Sequence, residues 1–428
     1  MRREGGLIQR TTQTVRRHRP DYLIILYIGL LMLVGLIMIY AVGPQHANLL
    51  NNTAGSNYSD SYFFIKQLVS LALSLAAFAF LATVPYEWLV KYSKLFLIIG
   101  LSACLVLFVA SKAGLGIAQC SLGACRWFDL GPLGSLQPAE IVKFGMLIFV
   151  AGFLGLKAQQ KKINDVKGTL VPLGVLLLIA MVFIIVIQKD LGTGIALTAL
   201  VVTMLYVAGL NKRIGMIIGG VLLLGGIIFI VSAPHRIERI LTYIQGDHVA
   251  AGDDAGYHIE HAKIAIGSGG LFGVGIGNSV ESTGYLPEAI NDSVFAVMGE
   301  TFGFVGLAII IVLFVALLMR LLRVMDHLVD IRLKLLVAGV FGWFGAHVIL
   351  NIAAMTGIFP LTGITLPLLS FGGTSMIFIT AALGIVFQLS RYTVHTSRLT
   401  PNTKGDSNED SRSRRGLGRP RYTSRRSS

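Results

Sequence analysis

The sequence predicts an all-α, polytopic membrane protein, and three observations carry that expectation. First, 54% of its 428 residues are apolar and only 14% charged, with a mean hydropathy of +0.72, far from the balance of a soluble domain. Second, apolar stretches of about twenty residues, each long enough to cross a bilayer core, recur ten times. Third, lysine and arginine collect in alternate connections between those stretches, as they do where a chain weaves through a membrane.

The predicted spans lie near 22–43, 62–83, 93–111, 140–156, 168–187, 191–210, 214–232, 293–319, 335–356 and 367–390. The first follows a basic leader, as a signal peptide would. It is too long for a signal h-region and many spans follow, so it reads as a retained helix. Lys91 and Lys94, Lys157 to Lys167, Lys212 with Arg213, and Arg320 to Lys334 fall on one side, the side of both termini. Positive charge marks the cytoplasmic face, which puts both termini there. The expected organisation is a basic tail over 1–20, a membrane unit over 21–392 and a disordered basic tail over 393–428. The largest outer loop, about 233–291, falls between spans seven and eight. Within it, 257–271 has apolar residues at helical spacing, and Gly269, Gly273 and Gly277 offer close packing. A loose glycine-rich pattern there lacks the preceding strand that a dinucleotide loop needs.

The formal charge of +14 would suggest nucleic acid if spread over a folded surface. It is concentrated instead: +5 within residues 1–20 and +7 within 391–428. Basic tails beside a membrane are topology signals resting on anionic lipid, so no nucleic-acid partner is expected. Three cysteines are too few for a disulfide scaffold. Cys120 and Cys125 share an outer loop, where spacing permits a disulfide but does not require one.

An ionisable group within a span costs about 3 kcal/mol at mid-bilayer, so each one asks for a partner or a function. Glu288 and Asp292 stand four apart before span eight, on one face if Pro287 opens a helical turn. On spacing alone, Asp292 reads as an N-cap. In the QPAEIVK run, Glu140 and Lys143 are three apart and can pair; the functional alternative has Lys143, with Arg126 of the preceding loop, presenting cations to a phosphate-bearing lipid. Asp190 sits at the start of span six, where a cap is the plain reading. Glu300, inside an apolar helix, reads as the partner of a buried cation. His258, Glu260 and His261 have spacing that could ligate a metal, but without a third ligand in view a solvated helix face is favoured. Two prolines and several glycines between Asn351 and Ser375, a run that includes Ser370, interrupt helix where a membrane tolerates it only beside protein or a water-filled cavity.

Taken together, these segments resemble the SEDS family (shape, elongation, division and sporulation) over residues 20–392. The resemblance rests on separated motifs: Arg126-Trp127, QPAEIVK, QKDLGTG, AIGSGGLFGVGIGNS, YLPEAINDSVFAVMGE and TGIFPLTGITLPLLSFGGTS. It implies a peptidoglycan glycosyltransferase that joins lipid II into β-1,4 glycan strands with inversion, on the outer face of the cytoplasmic (inner) membrane. It places Asp292 as the general base that takes the acceptor hydroxyl proton, reversing the reading from spacing. Lys143, Arg126, Glu140, Glu288, Asp190 and Ser370 become candidates for binding substrate. A divalent cation, Mg or Mn, is an expected helper rather than a resident cofactor. The resemblance further implies a class B penicillin-binding protein, a transpeptidase with one membrane anchor, as partner alongside other division proteins. The Pro-Glu-Ala sequence and long basic tail lie nearer the division member FtsW than the elongation member RodA.

The chain departs from the family pattern beside the aspartate. Ile290-Asn291 replaces a usual His-Thr, Ser282 a lysine, Lys189 a proline, and His258 and His261 two glutamines. These changes bear on the aspartate's pKa and reach. Two other functions suit the same architecture: a flippase or transporter of the lipid-linked precursor, and a non-catalytic division scaffold. Transporters tend to carry inverted repeats with helices broken near the midplane, whereas the interruptions here cluster toward the outer face.

Overall fold

The computed structural model describes residues 19–393 except 115, 122, 123, 130, 132, 133 and 232–253. Both predicted tails and the first third or so of the outer loop therefore lie essentially outside the described residues. In chain order the elements are α1 (Tyr22–Ala54), α2 (Tyr62–Thr83), α3 (Tyr86–Lys91), α4 (Ser93–Lys112), β1 (Ala118–Ser121), β2 (Ala124–Asp129), β3 (Ser135–Leu136), α5 (Pro138–Gln159) and α6 (Val166–Ile187). There follow α7 (Leu191–Val207), α8 (Lys212–Val231), α9 (Asp254–Ser268), α10 (Val294–His327), α11 (Ile331–Met355) and α12 (Gly373–Leu389).

Eight of these, α1, α2, α4, α5, α6, α10, α11 and α12 with the turn that carries it to Tyr392, are long and apolar enough to cross a membrane. The two remaining predicted spans coincide with α7, of 17 residues, and α8, of 20. Helix starts follow local chemistry: Asp21, Asp165, Asp190 and Asp330 each accept a backbone N–H of the first turn of α1, α6, α7 and α11. Pro138 opens α5, where its missing N–H costs nothing.

α5, α11 and α12 form the interior, while α2 and α6 are mostly on the outside with their apolar side chains exposed. Small residues set the spacing. A Cβ on Gly145 of α5 would lie 2.9 Å from the Leu97 backbone of α4, and one on Gly100 of α4 would lie 2.8 Å from the Val142 nitrogen of α5. Reciprocal contacts of this kind let two backbones approach where no hydrophobic effect drives helices together.

The Asp21 N–H donates to Ser390 Oγ at 2.9 Å, and Arg320 near the end of α10 pairs with Asp21. The start of α1 and the end of α12 thus share one side of the bundle.

The all-α expectation misses a small antiparallel sheet, β1-β2-β3, in the connection between α4 and α5. Cys120 and Cys125 face each other across β1 and β2 and form a disulfide. Helices also run past the predicted apolar limits, α10 to His327 and α1 through Pro44 to Ala54, because cations and polar groups are tolerated at membrane ends. The last helix starts only at Gly373; residues 367–372 are turns.

The glycine series is corrected at one position. A Cβ on Gly269 would meet Gly299 O at 2.0 Å and one on Gly273 would meet Thr301 O at 2.1 Å, whereas Gly277 has open space and serves a turn at φ +85°. The close approach has a reason. α10 breaks at Gly303 (φ 67°, ψ −168°), leaving backbone groups unpaired. The loop after α9 satisfies them: Val274 and Gly275 donate to the carbonyls of Glu300 and Thr301, and Phe304 and Val305 donate to those of Gly270 and Leu271. Irregular backbone at this depth persists because a second segment completes its hydrogen bonds.

Candidate functional site

Asp292 lies in the turn that leads into α10. The cap position belongs to Ser293, so Asp292 is not the helix N-cap that spacing suggests. Nor do Glu288 and Asp292 share a helical face: residues 284–293 are turns, and Glu288 has φ +50°. Pro287 does not open a helix because Ser293 Oγ binds its carbonyl at 2.8 Å and folds the chain back. Glu288 is exposed and takes the Asn291 side-chain amide.

Asp292 itself is half-buried, and its Oδ1 is fully buried without a hydrogen-bond partner. Burial first, and then the Glu288 carboxylate, push its pKa up to about 7. Its main chain is pinned from α11: Asn351 Nδ2 donates at 2.7 Å to both the Asp292 and the Ile364 carbonyls. The Phe371 N–H adds a 2.8 Å bond to the Ile290 carbonyl. The broken stretch before α12 is thereby a brace for the aspartate's turn. Ser370 is buried in that brace, where its hydroxyl accepts the Leu366 N–H at 2.8 Å and its carbonyl meets Gln67 of α2.

One helical turn from Asn351 on α11 is His347, facing a second cluster. Lys143 of α5 is wholly enclosed: Nζ lies 2.7 Å from Glu140 Oε1, 3.1 Å from His347 Nε2 and 5.1 Å from the Trp343 ring centre. The predicted pair is present, but the ammonium is not presented at a surface. Asp190 caps α7 by accepting the Thr193 N–H and hydroxyl at 2.9 Å each, and it also accepts Gln137 Nε2 at 3.0 Å. Arg126 of β2 holds the neighbouring connection through the carbonyls of Gln188 (3.1 Å) and Lys189 (2.8 Å).

Two expectations are corrected. Among the described residues Glu300 is the partner of no cation: its carboxylate accepts Ser279 Oγ and the backbone N–H groups of Val280 and Glu281. A carboxylate that gathers several donors needs no counter-cation. His258 is not on a solvated face, because α9 turns it inward to Ser293 Oγ, and burial lowers its pKa against an opposing pull from Glu288. His261 pairs with Glu281 at 2.7 Å while Glu260 is exposed, so the histidine spacing does not converge. Among the described residues no three His, Cys, Asp or Glu side chains gather as a metal site.

Sequence reasoning missed His347, Trp343 and the clamp role of Asn351. The available signal was a His and an Asn four apart inside an apolar span, where polar groups are costly.

Residues 21–395 match the family described as cell cycle protein, FtsW/RodA/SpoVE. The chain belongs to that family. Among its relatives, stage V sporulation protein E of Bacillus subtilis is 34% identical over 381 residues, covering 89% of this chain and 99% of the relative. A probable peptidoglycan glycosyltransferase FtsW of Taylorella equigenitalis is 33% identical, covering 83% and 94%. The fold is similar to a chain of a solved peptidoglycan synthase complex that coordinates polymerization and crosslinking (TM-score 0.66, 25% identity, 87% and 98% covered). It is also similar to the rod shape determining protein RodA of Thermus thermophilus (TM-score 0.61, 23% identity, 88% and 98% covered). This FtsW/RodA/SpoVE-family chain is thus a multi-pass membrane protein of mostly helical architecture.

Proposed function

We propose that this protein is a peptidoglycan glycosyltransferase that polymerises lipid II on the outer face of the cytoplasmic membrane, with Asp292 as general base. The observation that carries the reading is the Asp292 carboxylate itself, with an unpartnered buried oxygen and a pKa near 7. A base works best when its pKa lies near the operating pH, because it is then both available and strong. The Asp292 carboxylate takes the proton of the acceptor sugar hydroxyl as that oxygen attacks the donor's anomeric carbon from the face opposite the lipid pyrophosphate. The new glycosidic bond forms as the bond to pyrophosphate breaks, so the anomeric configuration inverts. Pyrophosphate leaves as a stable anion, which reduces the demand for a general acid.

Charge develops on that leaving group, and Arg126 and Lys143 are the cations assigned to it; Lys143, enclosed and paired with Glu140, acts by its charge across the protein interior rather than by contact. Glu140 holds Lys143, Glu288 tunes Asp292, and Asp190 and Ser370, candidates for binding substrate, fix the backbones around them. A divalent cation would have to arrive with the pyrophosphate, since no three-ligand cluster lies among the described residues and magnesium is commonly held by substrate phosphates with one or two carboxylates. Names among the relatives support the activity, and likeness to a synthase-complex chain supports a class B penicillin-binding protein as partner.

The test is polymerisation of purified lipid II by the wild type and by Asp292→Ala, each with and without a co-purified transpeptidase and with folding checked by thermal unfolding. Glycan from the wild type and none from the folded variant is expected. Equal glycan from both removes Asp292 from the chemistry, and none from the wild type even with its partner shifts the reading to transport or scaffolding.

A further inference from the structure

Lys143 is the only fully enclosed lysine among the described residues, and its neighbours fix more than its position. An ammonium can only donate, and so can an indole N–H. Both point at one atom: Lys143 Nζ lies 3.1 Å from His347 Nε2, and Trp343 Nε1 lies 3.3 Å from it. A nitrogen facing two obligate donors must offer a lone pair. His347 is therefore the neutral tautomer with its proton on Nδ1, a buried nitrogen with no hydrogen-bond partner of its own, because a doubly protonated ring would set an N–H and a positive charge against the ammonium at greater cost.

The same helix face carries Asn351 one turn on, whose side chain clamps the Asp292 carbonyl. Residues four apart on a helix lie one above the other, separated by a rise of about 6 Å. α11 thus grips the cation-bearing helix α5 at His347 and the turn of the base at Asn351. Glu140 is on α5 itself and ties Lys143 only to its own helix.

We propose that His347 is a positioning residue for glycosyl transfer: a neutral acceptor that holds the Lys143 ammonium in register with Asp292 through α11. This rests on the function proposed above for Lys143 and Asp292. Losing a hydrogen bond to a buried charge is worth enough to lower the rate roughly ten-fold or more, and an amide oxygen at the same reach restores it to within about three-fold. The loss falls on kcat more than on KM, because the leaving-group charge that the enclosed Lys143 stabilises from a distance develops during the reaction.

The experiment compares lipid II polymerisation by the full-length wild type, His347→Leu and His347→Gln, with thermal unfolding of each. Alongside it, 15N spectra of histidine-labelled protein are assigned by difference against His347→Gln. Expected are an Nε2 resonance of an unprotonated ring nitrogen with the proton on Nδ1, a loss in His347→Leu, and rescue in His347→Gln. A proton on Nε2, wild-type kcat in His347→Leu, or a folded His347→Gln as slow as His347→Leu overturns the proposal. If the wild type makes no polymer, the functional reading fails by itself; the tautomer spectrum needs no turnover and still decides whether His347 is an acceptor.

Discussion

Asp292 gains basicity from its place in the chain. A carboxyl that ordinarily titrates near 3.8 is moved to about 7, first by burial and then by Glu288. Only the ionised form can take a proton, so polymerisation falls as pH drops through about 7. Removing the second cause, in Glu288→Gln, shifts that acid limb to lower pH; a limb that stays in place denies Glu288 the tuning role, and a pH–rate profile of each protein reads it. The same shift has a cost. The folded state holds the Asp292 proton more tightly than the unfolded state, so stability falls as pH rises from near 4 toward about 7 and stays at the lower level above it. Asp292→Asn, which cannot ionise, raises the thermal midpoint above pH 7 while abolishing activity, an exchange of function for stability. A midpoint that is unchanged or lowered would remove burial as the source of the shift.

At the scale of elements, the break of α10 at Gly303 and the loop that completes it form one unit. Gly273 is held at φ +80° with Thr301 O in the place a Cβ would need. Gly273→Ala is therefore strained twice and costs about 2 kcal/mol or more, with loss of the Val274 and Gly275 hydrogen bonds. Thermal unfolding and amide exchange at those two residues measure it; an unchanged midpoint would contradict the account of the break. The disulfide in the β1–β2 hairpin closes a short ring, so Cys120→Ser with Cys125→Ser lowers stability by about 2 kcal/mol at most.

Much of this was legible in the sequence. The ten apolar stretches each coincide with a helix, because twenty apolar residues carry a strong and simple signal. The sheet was not legible, since β1 and β3 are too short to show alternation. The turn at Asp292 was misread for a physical reason: Pro287 and Asp292 are spaced as a helix start would have them, and only the tertiary bonds from Ser293 and Asn351 decide otherwise. His347 and Asn351, four apart in an apolar span, were a signal that went unread, and their partners Lys143, Trp343 and the Asp292 carbonyl are visible only in the fold.

Across the whole molecule, the first and last helices meet at one side through Asp21, Ser390 and Arg320, and the cations of Arg320 to Lys334 collect near it. By the positive-inside rule, the proposed function expects that side in the cytoplasm and the Asp292 turn at the opposite face. Tyr285, exposed in the same loop, tests this: Tyr285→Cys with Cys104 replaced is modified by a membrane-impermeant thiol reagent in intact spheroplasts. Protection there with modification after lysis would reverse the orientation. On the proposed function, the aspartate, the enclosed lysine and the clamp between them act as one unit, and modification of Tyr285→Cys from outside would put its base toward the outer face.

The measurement that tests this unit most directly is the rate of lipid II polymerisation by the purified wild type as a function of pH, with Asp292→Ala in parallel. The account predicts a single acid limb near pH 7 in the wild type and no polymer from the folded variant at any pH. A rate that persists unchanged well below pH 7, or a variant that polymerises with the same limb, would contradict it.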